Sequence, residues 1–423
     1  MIRKTRFLII VCFISVLPAL SNAQSQLLPV PKYRNDFNYF WSSFRDEYCY
    51  FQKKKSDWNK VKDIYAPQAD SAKTRDEFVS ILEHVLYEVY DHHAILNTNT
   101  DSSQRLVPSG TDIWAEYVNG KPVITEIRKG FGAERAGIHA GMEVVAVNDI
   151  PVETGIRKFL PASAKTNDDE ARSYALRTLL AGNHVQERKI SLLYKGNTKL
   201  YFPDQDGKQL ENIHWEKRIE TLLLGQTGYI RINDCLYSND LIPEFDSVMQ
   251  AMQKTGSLII DLRNCPSGGN TLVAKAILSW FIQKEMFYQE HEYYGSELQT
   301  GIKSSWKEIV SPRAGKYYSK PLVILCDHWT GSIAEGITIG FDAMKRPHTR
   351  IIGTNMARLN GAVYSYEMPD SKIRFSFPAE RLYHVNGTPR ESYIPQGLVA
   401  MLENPIQQSK DPVLDAALAW LKK

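Results

Sequence analysis

The chain lacks the short signatures of metal, phosphate and nucleotide chemistry. It has no His-Glu-x-x-His, no Gly-x-x-x-x-Gly-Lys, no dinucleotide fingerprint and no Gly-x-Ser-x-Gly elbow. Cysteine is scarce, with 5 in 423 residues. No Cys-x-x-Cys pair occurs and none stands at ligand spacing from a histidine, so no metal and no cofactor is expected. Beyond Cys12 the cysteines are Cys49, Cys235, Cys265 and Cys326, read as buried free thiols, with a disulfide as the alternative. An excess of one charge is also missing. Lys and Arg total 51 against 48 Asp and Glu, a net +3 mixed along the chain, which offers no stripe for nucleic acid or a membrane surface. After residue 23 no run is apolar enough to span a bilayer.

What is present begins with an address. Arg3, Lys4 and Arg6 precede an apolar run from Phe7 to Leu20, and Ser21 and Ala23 stand before Gln24 as at a cleavage site. This is the layout of a cleavable export signal at 1–23, a single-pass anchor being the alternative. It predicts a periplasmic or secreted mature protein with no stable membrane span. An apolar share of 43% over roughly four hundred mature residues is enough for two or three cores.

Three regimes follow. From Tyr33 to Leu96 aromatic and aliphatic residues recur at three- and four-residue steps, as in Phe37, Phe40, Trp41 and Phe44, which predicts a helical bundle. Ser56 and Thr74 read as helix starts, and the region ends in Tyr90-Asp91-His92-His93. From about Gly110 to Leu200 short strands take over. There Ala133-x-x-Ala136-Gly137-Ile138-x-x-Gly141-x-x-Val144-x-x-Val147-Asn148 resembles a PDZ domain at its helix and following strand, a type of module that binds peptides as an added strand. From Ile219 onward buried strands such as Leu258–Arg263 and Leu322–Leu325 alternate with helical patterns, predicting a layered α/β core.

Within that core a strand delivers Thr330-Gly331-Ser332 to the first turn of a helix, where orphan N–H groups and the helix dipole favour a developing anion. Alone, Ser332-x-x-Glu335 reads first as a capping box. Its company changes the weight. The order Leu-Ile-Ile-Asp-Leu-Arg, Pro266-x-Gly268-Gly269, then Ser332-x-Ala334-Glu335 about sixty residues later resembles the tail-specific, or C-terminal processing, serine peptidases and the tricorn core. So do the leading helical region and the PDZ-like module between. Cys265 and Ser267 depart from the usual turn residues of that family.

The resemblance implies a ClpP/crotonase-type α/β core at 201–423, a helical domain at 24–108 and an inserted PDZ-like domain at 109–200. It implies Ser332 as nucleophile, with an oxyanion hole from the N–H of Ile333 and of Gly268 or Ser267. The lysine used by one branch is missing from Ile351–Gly361, and Arg358 cannot replace it as a base. The tricorn-like branch places the base at His93, in Asp91-His92-His93-Ala94-x-Leu96. Glu391 then orients the imidazole; a helix-end cap for His93 and a salt bridge of Glu391 with Arg390 are the alternatives. The implied activity is endopeptidase cleavage of peptides or unfolded proteins, held by the PDZ-like domain. A non-catalytic binding protein retaining the fold is the rival.

Overall fold

The computed structural model describes residues 32–166, 168–205, 215–400 and 411–423; the leader at 1–23 lies outside them. Helices α1 (Arg34–Glu47), α2 (Trp58–Ser71) and α3 (Arg75–Val89) come first. The spacing read from sequence puts Phe37, Phe40, Trp41 and Phe44 on the buried face of α1. Thr74 and Glu77 form the capping box that opens α3. The start of α2 differs from expectation. Asp57, not Ser56, caps it by accepting from the N–H groups of Asn59 and Lys60, while the Ser56 hydroxyl donates to the Glu88 carbonyl. A carboxylate one residue closer to the helix wins the cap.

The helices do not close a core among themselves. Their apolar faces share one cluster with Met368, Ile373, Phe375, Phe377 and Ala379 from late in the chain, and the Phe44 and Phe377 rings lie 4.1 Å apart. The short strand β1 (Ile95–Leu96) leaves the helices for the sheet that carries those residues.

A β domain follows. It comprises β2 (Ile113–Val118), β3 (Lys121–Ile127), β4 (Glu143–Val147), β5 (Ile150–Pro151), β6 (Ile190–Tyr194) and β7 (Asn197–Tyr201), with the short helices α4 (Gly132–Arg135) and α5 (Val152–Gly155) and the longer α6 (Asp169–Ala181). Its antiparallel sheet has the order β2-β3-β4-β6-β7, β5 pairing with β4, and α6 packs against β2. The two ends of the domain are clasped by one buried arginine. Arg188 donates to Asp112 Oδ1 at 2.7 Å, to Asp204 Oδ2 at 2.9 Å and to Asp204 Oδ1 at 2.7 Å.

The core contains β8 (Ile219–Leu224), β9 (Thr227–Ile232), α7 (Leu241–Met252), β10 (Ser257–Asp261), α8 (Thr271–Leu278), β11 (Met286–Tyr293), α9 (Tyr294–Thr300), β12 (Ser304–Val310), β13 (Leu322–Cys326), α10 (Ile333–Ala343), β14 (Thr349–Gly353), β15 (Ala362–Glu367), β16 (Arg374–Tyr383), β17 (Gly397–Leu398) and α11 (Pro412–Leu421). One sheet has the order β17-β14-β13-β10-β9-β8 and is parallel except at its β8 edge. Both β10 and β13 are buried along their whole length, as apolar runs covered on two faces should be. Helices α7, α8 and α10 cover one face, and α11 seats Val413 and Ala417 on the other. A second sheet, β1-β16-β11-β12 with β15 beside β16, lies beyond α10.

Removing the clasp tests how far the β domain depends on it. Arg188→Ala leaves Asp112 buried without a counter-ion and Asp204 with only Arg105 at 3.7 Å, so unfolding of this domain in urea is expected to lose about 3 kcal/mol. A loss below about 1 kcal/mol would show that water reaches the two carboxylates.

Candidate active site

Past the end of β13 the chain turns tightly before α10. Asp327 takes the Trp329 N–H on its carboxylate at 2.8 Å, and Thr330 Oγ1 accepts from Asp327 N at 3.0 Å. The turn is held on two sides, by Gly331 N–H on the Cys265 carbonyl at 3.1 Å and by Ala357 N–H on the Thr330 carbonyl at 3.1 Å. Gly331 has no room for a side chain, because a Cβ there would lie 2.6 Å from the Pro266 carbonyl oxygen.

Ser332 is next, with φ 53° and ψ −113°. An ordinary N-cap residue is extended; this one sits in a region that L-residues avoid, at a cost of about 1–3 kcal/mol. Glu335 Oε2 does accept the Ser332 N–H at 2.9 Å, as in a capping box. Ser332 and Glu335 thus keep the capping-box arrangement, with the Glu335 N–H also donating to the Ser332 carbonyl at 3.0 Å. A capping role alone would not require this backbone.

The Pro266–Gly269 turn closes on the serine. A Cβ on Gly268, whose φ is +79°, would lie 2.8 Å from Ser332 Cβ, 3.0 Å from its Oγ and 3.8 Å from Ile333 N. Only glycine permits that approach. Of the expected oxyanion donors, Ile333 N–H opens α10, where no intrahelical acceptor exists. Ser267 N–H is already spent on Asp234 Oδ1 at 3.0 Å, and its hydroxyl on Oδ2 at 2.7 Å. Gly268 N–H has no acceptor among the described residues.

The histidines follow α3, whose C-cap Tyr90 is left-handed. Asp91 Oδ1 accepts the His93 N–H at 2.9 Å, while Oδ2 accepts from Tyr48 OH at 2.7 Å and from Asn360 Nδ2 at 2.9 Å. His93 Nδ1 lies 2.6 Å from the Asn360 carbonyl oxygen. A carbonyl only accepts, so Nδ1 carries the proton and Nε2 keeps its lone pair. Burial, then the Arg390 charge, lower the His93 pKa to about 4, leaving a neutral imidazole. His92 turns away. It stacks on Tyr174 at 4.3 Å and accepts from Arg177 Nε at 3.1 Å.

Glu391 corrects an expectation. Its Oε1 accepts from Lys53 Nζ at 2.6 Å and its Oε2 is buried without a partner; the Nδ1 proton expected to reach it goes instead to Asn360. Polar backbone close at hand displaced a carboxylate as the orienting group, and Asp91 braces Asn360 from behind. Ser332 and His93 share no hydrogen bond among the described residues. The β14–β15 loop links their surroundings, since Leu359 Cδ1 would lie 3.4 Å from a Cβ on Gly331 and the next residue holds His93. Contacts of this kind commonly tighten only with substrate bound.

Two features escaped sequence reasoning. His328 is buried with Nδ1 on Glu126 of β3, and its ring stacks on Trp114 at 4.5 Å; Glu126 also accepts from Thr354 Oγ1 at 2.8 Å. This ties the turn before Ser332 to the β domain. Asn360 was visible only as one residue of a loop. Nearby a cavity of about 400 Å³ opens between helices, β domain and core, lined among others by Lys53, Trp114, Glu116, Arg177, Arg358 and Glu391.

Residues 226–395 match the model of peptidase family S41, and residues 29–86 that of the tricorn protease C1 domain. The chain is a serine peptidase with an S41-type core and a tricorn C1-type leading region. No curated protein matches it by sequence. Among solved structures this peptidase resembles mature CPAF (TM-score 0.60, 16% identity, 93% of this chain and 96% of that one covered). It also resembles the photosystem II D1 C-terminal processing protease (TM-score 0.54, 16% identity, 90% and 96% covered). A third match is a peptidase candidate from Parabacteroides merdae ATCC 43184 (TM-score 0.56, 17% identity, 92% and 96% covered). At such identities the likeness is one of fold.

The strain at Ser332 is measurable. Ser332→Gly relieves the positive φ and Ser332→Ala retains it, so the glycine variant of the peptidase should be more stable than the alanine variant by about 1 kcal/mol or more. Equal stabilities would remove the strain argument. The pH dependence is a second check. A base with its pKa near 4 stays neutral in mild acid, so kcat/KM should hold down to about pH 5, where a histidine at its usual 6.5 would be mostly protonated. A limb near pH 6.5 would contradict the burial of His93.

Proposed function

We propose that this peptidase cleaves peptides or unfolded proteins through an acyl-enzyme formed on Ser332. The observation that carries the reading is the strained Ser332 backbone at the start of α10, with Gly268 closed against its side chain. His93 Nε2 takes the Oγ proton as Oγ attacks the peptide carbonyl carbon. The N–H groups of Ile333 and Gly268 hold the resulting oxyanion. As the C–N bond breaks, the imidazolium returns the proton to the leaving amine. Water, deprotonated by His93, then attacks the ester; the acid leaves and the serine is reprotonated.

The finer parts of the reading follow from the same site. The parallel sheet with α10 between two sheets supports a ClpP/crotonase-type core. The β domain is read as PDZ-like, presenting substrate along β2. That edge is currently occupied by α6, for Ser173 Oγ accepts from Tyr117 N at 3.0 Å and Arg177 donates to the Ala115 carbonyl at 3.4 Å. An added peptide strand would displace both. The leader supports an exported, periplasmic or secreted enzyme; no helix among the described residues is long and apolar enough to cross a membrane.

Casein hydrolysis by the mature enzyme, beside Ser332→Ala and His93→Ala, is the direct test. Both variants should stay folded and lose roughly a thousandfold or more. Retained cleavage in either would end the assignment of that residue. A parent that neither cuts casein nor accepts a fluorophosphonate would favour the non-catalytic binder.

A further inference from the structure

Arg390 stands next to the residue expected to orient the histidine, and the sequence offers it only as a salt-bridge partner of Glu391. It is 2% exposed. Its Nη2 donates to the Leu359 carbonyl at 3.1 Å and to the Gly361 carbonyl at 2.7 Å. The carbonyl between those two, Asn360, accepts the His93 Nδ1 proton. The same Nη2 lies 3.7 Å from Glu335 Oε2, the oxygen that accepts the Ser332 N–H. One guanidinium thus reaches both the loop that holds the imidazole and the carboxylate that caps the nucleophile's helix.

Such an arrangement is a poor device for stability. Arg390 Nε and Glu335 Oε1 are both buried without partners, and a buried ion pair is often matched by well-packed apolar residues. It is well suited to fixing geometry, since the guanidinium donors are rigid in one plane. Burial raises the Glu335 carboxyl against the opposing pull of Arg390, leaving it at about 7.

We propose that Arg390 is the positioning residue of this site: by pinning the carbonyls on either side of Asn360 and facing Glu335, it sets where the His93 imidazole lies relative to Ser332 Oγ. The inference rests on the serine–histidine reading above. Its charge also bears on the base. After burial itself, Arg390 is the strongest influence lowering the His93 pKa; Asp91 on the histidine's own turn and the backbone of Asn360 and Gly361 act the other way. The Glu391 charge acts on Glu335 as well, raising its carboxyl.

The experiment follows inactivation by a fluorophosphonate across pH, giving kinact and KI for the parent, Arg390→Met and Arg390→Lys, with circular dichroism as the check on folding. Arg390→Met should keep KI, lose roughly a hundredfold in kinact, and show its acid limb at higher pH, because the cation that disfavours imidazolium is gone. Arg390→Lys should recover most of kinact and the parental limb. Parental kinact in Arg390→Met, or a lower kinact with the limb unmoved, overturns the proposal. Should the methionine variant fail to fold, Arg390→Gln keeps an N–H donor without the charge and decides by the same two readouts. A parent that is never labelled would instead bring down the serine–histidine reading, and this inference with it.

Discussion

Between β10 and β13 the pairing runs from Leu258 with Leu322 to Asp261 with Leu325, and it resumes past both strand ends where Cys265 bridges Thr330. Parallel strands bring their C-terminal ends to one edge, where α/β sheets place ligands. The turn after β10 and the helix start after β13 therefore meet there. Gly331 and Gly268 make the meeting possible, each at a point where a side chain would strike the opposite segment. The strained Ser332 backbone is the consequence, held because hydrogen bonds from both neighbouring segments leave the turn no other course.

Everything else in the site is hung on that edge by parts from distant stretches of chain. The helical region supplies His93, yet it completes its own core only with Phe375 and Phe377 of β16. The β domain reaches the nucleophile turn through Glu126 and His328 and through Trp329, whose indole donates to the Thr111 carbonyl at 2.8 Å. Such buried polar ties contribute little to stability unless every member is satisfied. Their value here is registration: three bodies are held to one cleft.

Much of the chemistry was legible in the chain. The aromatic spacing of α1, the helix start at Thr74, the buried runs of β10 and β13 and the strand–serine–helix order at Ser332 all rest on local rules, and each appears in the structure. Local rules also fail in an instructive way. Ser56 lost its cap to Asp57, and Ser332-Glu335 kept capping-box spacing while its backbone took a conformation no cap requires.

The orienting group of His93 shows where local reasoning stops. A carboxylate was expected, and Glu391 stood in the segment where one should be; the structure gives the proton to Asn360 and the carboxylate to Lys53. The sequence by itself determined which residues could do acid–base and nucleophilic work, and that Arg358 could not be the base, because those are properties of side chains. The tertiary structure decided which of them meet. Contacts such as Asn360 with His93, separated by 267 residues, depend on how a loop is pinned by Arg390 and Thr330, and no periodicity or propensity encodes that.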